Sequence, residues 1–346
     1  MLNKSSLQRN FLNLINIIQN PELYSPIFHT YVWRIGKKFK LLSHPKNPFA
    51  NIQIPSKDLN SRVYYILRQA IDNKTPLMMG RYGNVECETM RDVLLFEKRI
   101  LKSLRPIYNT LCKNAGFFPK DLQSEREIYA ELKNFALIMQ NATANCDIFG
   151  TWSGGLSFEH YFIDRFAHTN LILTELDFFR PQVESALPFS YAFKDATVLV
   201  IHPFEETIRS QYQNYDKLFA NKKILPSFNL KTFKAIQTIN KEIDTRFATW
   251  FEALDWMTQE INKISFDIAL IGCGAYGFPL AARIKNMGKI AIHCGGATQL
   301  FFGIKGKRWE EEQKELGSKL FNNYWVRPNE KETIKNISDI EGGCYW

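Results

Sequence analysis

The sequence lacks any apolar run long enough to span a membrane. A transmembrane helix needs about 20 consecutive apolar residues, and asparagine and glutamine interrupt the apolar positions of the opening segment MLNKSSLQRNFLNLINIIQN. A secretory signal peptide has one continuous apolar region, which this segment does not offer. We therefore expect a soluble protein that is located in the cytoplasm.

Paired cysteine motifs are also absent. The six cysteines are Cys87, Cys112, Cys146, Cys273, Cys294 and Cys344, and no two of them form a CxxC motif. Scattered cysteines in a chain of 346 residues indicate reduced thiols in a reducing compartment. The six histidines lack zinc-ligand spacing relative to these cysteines, so a structural zinc site is not expected.

Acidic residues are nearly missing from the first fifty residues, which contain seven lysines and arginines and one acid, Glu22. Aromatic and basic residues recur at roughly helical spacing in SPIFHTYVWRIGKKFKLL, which predicts a basic helical extension over residues 1–55. Such a helix contacts an anionic membrane peripherally, at the inner face of the plasma membrane, or packs on the domain with its basic edge in water. Pro45, Pro48 and Pro55 indicate a linker.

The whole chain has a formal net charge of +9. A positive balance favours phosphates, nucleotides, anionic lipids or nucleic acids as partners, and it does not choose among them. Nucleic acid is not expected, because the aromatic residues lie in core-like runs and no basic stripe is interleaved with them.

From residue 56 onward, predicted helices alternate with short apolar runs. The helices are SRVYYILRQAIDN, SEREIYAELKNFALIMQNA, TRFATWFEALDWMTQEINKI and FPLAARIKNMG, and the strands lie in PLMMGRYG, CDIFGTW, NLILTEL, ATVLVIHP, DIALIGCG and KIAIHCGG. Ser124 and Glu127 stand at capping-box positions. This alternation predicts an α/β fold over residues 56–346, with a Rossmann-like, mostly parallel sheet flanked by helices. We expect one domain, or two subdomains of about 56–195 and 196–346.

Ligands of open parallel sheets bind beyond the carboxyl ends of the strands, so the residues after each strand are the candidates. Gly272, Gly274 and Gly277 form a GxGxxG pattern between a strand and a helix, with Tyr276 inside it. Glycines there allow a tight turn, and the helix N-terminus attracts phosphate. The alternative is a turn that serves packing only.

A second glycine-rich turn follows the next strand and contains Gly295, Gly296 and Gln299. Dinucleotide sites carry an acid at the end of that strand to bind a ribose, and this strand ends at His293 instead. Neither NAD nor FAD is therefore expected. The two turns at one sheet edge indicate a site for a diphosphate, which Lys305, Lys307 and Arg308 could neutralise.

The segment after the first strand combines Arg81, Gly83, Asn84, Glu86 and Glu88. Arginine pairs with phosphate oxygens. A carboxylate binds a divalent cation or acts as a general base toward a hydroxyl. An ordinary helix N-terminus, where acids are favoured by the helix dipole, also explains the acids.

Further candidates follow three other strands. His202 is a candidate general base or hydrogen-bond donor to phosphate, which Glu205 could orient, and a buried structural histidine is the alternative. Trp152 and Ser153 could stack on a ring and donate a hydrogen bond, although core packing explains a tryptophan equally simply. Glu175 and Asp177 lie at the end of the strand in NLILTEL and could supply the acid that Asn84 does not provide.

The chain resembles the glycosyltransferases of the GT-D fold. Residues 79–88 are similar to that family's RFGDGE-type signature, and residues 267–296 to its second element. More closely, the chain is similar to GT-D-like proteins associated with bacterial surface-polysaccharide synthesis. The matching stretches are VLVIHPFEETIRSQ, LPSFNLKTFKAIQ, residues 272–309 and EGGCYW.

The resemblance implies a nucleotide-sugar donor and a divalent metal, manganese or magnesium, at the acids of the DGE triplet. Asn84 and Val85 replace the first two members of that triplet, and Glu86 is retained. We therefore expect Glu86 as the metal ligand. The expected catalytic residues are Glu86 and His202. The expected donor-binding residues are Arg81, Gly83, Asn84, Trp152, Ser153, Gly272, Gly274, Tyr276, Gly277, Gly295, Gly296 and Gln299.

These features favour a glycosyltransferase that moves a sugar from a nucleoside diphosphate to a bacterial surface glycan or lipid-linked glycan. A non-catalytic nucleotide-sugar-binding or scaffold protein is the alternative, and Asn84 favours it. A Rossmann oxidoreductase or methyltransferase is the third hypothesis, and the missing strand-end acid counts against it.

Overall fold

The computed structural model describes residues 59–152, 158–334 and 343–346, together with Ile27. The predicted basic extension therefore lies outside the described residues, except for Ile27, and so does Ser153. Within the described residues, no helix is long and apolar enough to cross a membrane.

The described residues form one sheet of seven strands, all of them parallel. The strands are β1 (Leu77–Gly80), β2 (Ile148–Thr151), β3 (Ile172–Glu175), β4 (Thr197–His202), β5 (Asn229–Lys234), β6 (Ile268–Ile271) and β7 (Ile290–His293). Their order across the sheet is β3-β2-β1-β7-β6-β4-β5. The predicted parallel α/β architecture is confirmed.

Helices connect and cover these strands. They are α1 (Leu59–Asp72), α2 (Asn84–Glu97), α3 (Arg105–Thr110), α4 (Glu125–Asn145), α5 (Glu159–Phe166), α6 (Glu205–Tyr212), α7 (Tyr215–Leu218), α8 (Trp250–Asn262), α9 (Gly277–Asn286), α10 (Thr298–Phe301) and α11 (Lys314–Leu320). The longest, α4, begins with the predicted capping box: Ser124 Oγ accepts from the Glu127 amide, and Glu127 Oε2 accepts from the Ser124 amide.

Each face of the sheet is covered by its own apolar core, because side chains alternate along a strand. In β1, Met78 packs into the core formed with α2, α4, α8 and α9. Leu77 and Met79 pack into the other core, with α1, α6 and α10. Strands buried on both faces read as continuous apolar runs, which is why they are visible in the sequence.

The edge strand β5, with the sequence NLKTFK, was not predicted as a strand. Its residues are half-buried or exposed, so charged side chains are tolerated and the apolar signal is lost. β1 pairs with β7, so the two predicted subdomains contribute strands to one sheet. The boundary between those subdomains stays a prediction.

The β1–β7 junction is a switch point in the topology. After β1 the chain passes to α2 in the first core, and after β7 it passes to α10 in the second. Connections that leave neighbouring strands toward opposite faces open a crevice at the carboxyl edge.

Candidate functional site

A cleft opens at this carboxyl edge, where the segments after β1, β4, β6 and β7 meet. Its cavity volume is about 160 Å³. Further walls come from the π-helical turn Leu111–Ala115, from the segment after β5 that contains Gln237, and from Tyr345 and Trp346. The cleft therefore lies at the sheet edge where the sequence predicts a ligand site.

Glu86 lies in the first turn of α2 and is 8% exposed. Its side chain folds back over the helix start, because a Cβ on Gly83 would lie 1.9 Å from Glu86 Oε2. A larger residue at position 83 would displace this carboxylate from its place over the helix start. Asn84, the first residue of α2, is exposed and also lines the cleft.

Arg81 follows β1 and lines the cleft. Its Nη1 donates to the Tyr82 carbonyl at 3.0 Å, and its guanidinium lies 6.0 Å from the Trp152 ring centroid. A Cβ on Gly295 would lie 1.9 Å from Arg81 Nη2, so the guanidinium packs on the second glycine turn. The buried Nε of Arg81 has no hydrogen-bond partner among the described residues.

His202 ends β4 and is buried against the cleft. The Phe204 amide donates to His202 Nδ1 at 3.0 Å. Burial lowers the pKa of His202 from 6.5 to about 3, so the ring is neutral at physiological pH. Because Nδ1 accepts, the single ring proton belongs on Nε2, which makes that nitrogen a donor.

His293 ends β7, which is separated from β4 by β6. In the sequence it stands out only because it occupies the position of the acid found in dinucleotide sites. Burial, and then the positive charge of Arg81, lower its pKa well below the ordinary value, and the ring is hydrogen-bonded to the Ile271 backbone. Its Nδ1 is buried and has no partner among the described residues. The cleft is thus lined by two neutral imidazoles.

The GxGxxG turn packs tightly against protein atoms. A Cβ would lie 2.7 Å from the Ala115 carbonyl oxygen at Gly274 and 2.2 Å from the His293 ring at Gly277. Tyr276 stacks on Trp250, with ring centroids 5.0 Å apart. Close packing therefore accounts for the two glycines, although Gly274 also lines the cleft.

The turn after β7 is held by Gln299. Its Nε2 donates to the carbonyls of Ile304, Lys305 and Tyr345, at 3.4, 3.0 and 3.0 Å. Gln299 lines the cleft, but its amide nitrogen is occupied in fixing this wall.

Glu159, at the start of α5, is a buried acid that the sequence analysis missed. Its Oε2 accepts from the Trp152 amide at 3.0 Å, and its buried Oε1 has no partner among the described residues. Burial raises its pKa to about 8, and the Trp152 hydrogen bond and the Arg81 charge oppose the rise. In the sequence, nothing separates it from an ordinary acid at a helix start.

The other acids considered from the sequence do not line the cleft. Glu88 is 3.5 Å from Arg91 on its own helix, and Asp177 is 2.8 Å from Arg180. Glu175 is exposed. Within the described ranges, no group of three or more His, Cys, Asp or Glu side chains could hold a metal ion.

Most of the expected site residues converge on this one cleft. It is lined by Arg81, Gly83, Asn84, Glu86, Trp152, His202, Gly272, Gly274, Tyr276, Gly295, Gly296 and Gln299. Gly277 is not among the lining residues and lies beneath His293. The roles expected for these residues stay predictions.

Comparison with known proteins gives a class for this fold. A family model described as a GT-D fold-like domain matches residues 59–301. That range includes all seven strands of the described sheet. The chain therefore belongs to the GT-D-like family.

Two other comparisons add little. A solved structure titled "Selenomethionine substituted structure of domain of unknown function 1792 (DUF1792)" is 13% identical, over 76% of this chain and 86% of that chain. Its TM-score is 0.38, which is too low to support a structural argument. A comparison with curated proteins gives no significant match.

Proposed function

We propose that this protein transfers a sugar from a nucleoside diphosphate to a glycan or lipid-linked glycan of the bacterial surface. The GT-D-like fold is consistent with a glycosyltransferase. The observation that carries the proposal is the cleft itself, in which the Glu86 carboxylate, the Arg81 guanidinium and two glycine turns meet at one sheet edge.

Glu86 is the proposed general base. A sugar hydroxyl is a poor nucleophile, so its proton must be removed as the new bond forms. Among the acidic side chains of the described residues, Glu86 is the one that lines the cleft.

His202 is better suited to donate than to act as the base that the sequence also suggested. Its Nδ1 lone pair accepts from the Phe204 amide, which leaves Nε2–H for a ligand oxygen. A neutral donor can hold a phosphate or hydroxyl oxygen without itself changing protonation.

The leaving diphosphate needs compensating positive charge. In this proposal Arg81, which packs on the Gly295–Gly296 turn, supplies that positive charge together with backbone N–H groups of the turn. A cavity of about 160 Å³ is below the roughly 300–1,000 Å³ of ligand pockets that enclose a whole drug-sized molecule. We expect it to enclose the diphosphate and one sugar, with the nucleoside closer to solvent.

A divalent cation is part of the proposal, and its fit is limited. Glu86 offers one carboxylate and Asn84 one amide oxygen, so phosphate oxygens of the ligand would have to complete the set. A cation bound there would neutralise the leaving group. We therefore expect manganese or magnesium to bind with the nucleotide and not before it.

A second candidate function is that of a non-catalytic sugar-nucleotide-binding or scaffold protein of polysaccharide biosynthesis. Asn84 favours it, because an amide lacks the negative charge of the acid at this position of the DGE triplet. Binding without transfer would support this candidate. We also propose a cytoplasmic location, with peripheral contact at the inner face of the plasma membrane.

The first experiment is a thermal-shift screen of the full chain against UDP, GDP, dTDP and CMP sugars, each with and without manganese or magnesium. A ligand that binds only the folded state raises Tm. A metal-dependent shift with one diphosphate family supports the transferase and names its donor. Cooperative melting without any shift would contradict the proposed function.

The second experiment compares E86Q with E88Q, a matched change two residues along α2. With the donor found in the screen, we expect E86Q to lower release of the nucleoside diphosphate by roughly 100-fold or more, as for loss of a general base. Tm, and donor affinity measured without metal, should change little, whereas donor binding in the presence of manganese or magnesium should weaken because Glu86 is also the proposed cation ligand. E88Q should behave like the parent. An active E86Q variant would exclude Glu86 as the base.

A further inference from the structure

The segment Gly343–Trp346 forms a wall of the cleft, although it lies beyond the residues 59–301 matched by the family model. Tyr345 and Trp346 both line the cleft. The Lys307 amide donates to the Trp346 carbonyl at 3.1 Å, and the Arg308 amide donates to the Cys344 carbonyl at 2.9 Å. These bonds tie the segment to the chain around residue 308.

Trp346 anchors the same segment on the far side. Its ring centroid lies 5.6 Å from that of Phe204, and its Nε1 donates to the Glu332 carbonyl at 3.4 Å. The Glu332 carboxylate accepts in turn from the amides of Glu206 and Thr207, at 2.7 and 3.2 Å. The wall is therefore fixed to the start of α6, just after β4.

Tyr345 fixes the guanidinium of Arg308. The guanidinium carbon lies 4.7 Å from the Tyr345 ring centroid, and Arg308 Nη1 donates to Tyr345 Oη at 3.0 Å. Stacking and a hydrogen bond to the same ring restrict the orientation of an otherwise flexible side chain. Arg308 also lines the cleft.

Arg81 and Tyr345 flank one glycine turn. A Cβ on Gly295 would lie 1.9 Å from Arg81 Nη2, and a Cβ on Gly296 would lie 2.2 Å from Cε1 of Tyr345. Arg81 and the Arg308–Tyr345 pair therefore contact consecutive residues of this turn. Glycine at both positions leaves the space that these side chains fill.

Positive charge is concentrated around this turn. Burial lowers the pKa of Arg180 from its ordinary value; its ion-pair partner Asp177 opposes this, and the charges of Arg308 and Arg81 lower it further. Both of these guanidiniums therefore lie within electrostatic reach of Arg180. Like charges gathered in a cleft are stabilised by a bound anion.

We propose that Arg81 and Arg308 clamp the diphosphate of the ligand from two sides of the Gly295–Gly296 turn, with Tyr345 as the positioning residue for Arg308. This inference rests on the proposed function, because it assigns a diphosphate to the same cleft. It adds that ligand binding depends on the cleft wall formed by residues 343–346.

Isothermal titration with inorganic pyrophosphate tests the clamp without assuming any nucleotide or activity. We expect R308Q to weaken pyrophosphate binding roughly tenfold or more, the loss typical of a charge-assisted contact. Y345F, which keeps the ring and removes the hydroxyl, should weaken it roughly threefold. R327Q and Y324F are matched controls at exposed side chains and should leave the affinity unchanged.

The double variant separates positioning from a general structural effect. If Tyr345 acts through Arg308, then Y345F has no further effect in an R308Q background, whereas independent effects would multiply. R308K should recover part of the lost affinity. Tm of each variant, measured without ligand, identifies any variant that has lost the fold.

Three results would overturn the clamp: no pyrophosphate binding to the parent, R308Q binding like the parent, or fully multiplicative effects of R308Q and Y345F. Each is distinguishable from failure of the proposed function. Sugar nucleotides that bind equally to parent and R308Q refute the clamp and leave the transferase standing. Pyrophosphate binding that depends on Arg308 and Tyr345, without any sugar-nucleotide shift, supports the clamp and contradicts the transferase.

Discussion

Buried ionisable groups set the chemistry of the cleft at the scale of single residues. His202 and His293 are neutral because burial disfavours the charged imidazole. Glu159 is protonated at neutral pH for the same reason, behind Trp152 and Arg81. Neutral groups next to Arg81 leave its positive charge available to a ligand.

We predict that Glu159 makes the fold more stable at acidic pH than at neutral pH. In the unfolded chain its pKa is about 4.3, whereas in the fold it is about 8. The contribution of Glu159 to the free energy of unfolding is complete below its pKa in the unfolded chain, and it is lost as pH rises toward its pKa in the fold. Between pH 5 and pH 7 the free energy of unfolding of the parent should fall by on the order of 2 kcal/mol more than that of E159Q.

Urea unfolding of the parent and E159Q at pH 5, 6, 7 and 8 measures this difference. E206Q, at an exposed acid, is the control and should follow the parent. Parallel curves for the parent and E159Q would show that Glu159 does not titrate abnormally.

Gly295 gives a second prediction at this scale. It has a φ of +60°, and a Cβ there would meet Arg81 Nη2. Gly288 has a φ of +79° and nothing within 4 Å of its Cβ position. G288A therefore measures the effect of the left-handed backbone alone, and we expect it to lower the free energy of unfolding by about 1 kcal/mol. G295A should cost at least about 1 kcal/mol more and displace Arg81 from the turn.

Thermal unfolding and pyrophosphate titration of both variants test this prediction. G288A should keep the parent affinity, and G295A should lose most of it. Equal destabilisation by the two substitutions would argue that Arg81 does not pack on Gly295.

At the scale of elements, local sequence signals fix where helices begin. The capping box of α4 satisfies amides that the helix cannot bond internally. The Thr249 side chain accepts from the Glu252 amide at the start of α8 in the same way, at 3.0 Å. Both helices pack into the core that covers one face of the sheet.

We predict that S124A lowers the free energy of unfolding by about 1 kcal/mol, the usual effect of losing an N-cap. Ser210, which is exposed on α6, supplies the control variant S210A with little expected change. The measurement is urea unfolding at neutral pH. If S124A were as stable as S210A, the capping box would contribute nothing in solution.

At the scale of the whole molecule, the sheet concentrates stability at its centre. β1, β6 and β7 are buried at every position, whereas the edge strands β3 and β5 are mostly half-buried or exposed. The cleft is built on the ends of the central strands, and those strands position its side chains rigidly.

Amide hydrogen exchange tests this gradient. Central strands open only with the whole fold, and edge strands open locally. We predict that amides of β6 and β7 exchange at least roughly tenfold more slowly than those of β5. Uniform exchange across all strands would indicate that the sheet opens as one unit.

The sequence by itself determined the central parallel strands, their order along the chain, the capped helix α4 and the residues that follow the strand ends and meet in the cleft. Each of these depends on local information: continuous apolar runs, helical periodicity and turn residues. The strand ends identified Arg81, Glu86 and His202 because parallel strands bring their carboxyl ends to one edge. The edge strand β5 was not predicted because lysines interrupt its sequence, NLKTFK, and leave no continuous apolar run, whereas the other edge strand, β3, retains an apolar run in NLILTEL.

Only the tertiary structure decided the environment of each site residue. Burial shifts the pKa values of Glu159 and His293, and no local sequence pattern specifies that burial. The tautomer of His202 depends on one backbone amide. Tyr345 contacts Gly296 and Arg308, which are distant from it in the chain. Contacts of this kind arise from packing between elements, and the sequence encodes that packing only through the fold as a whole.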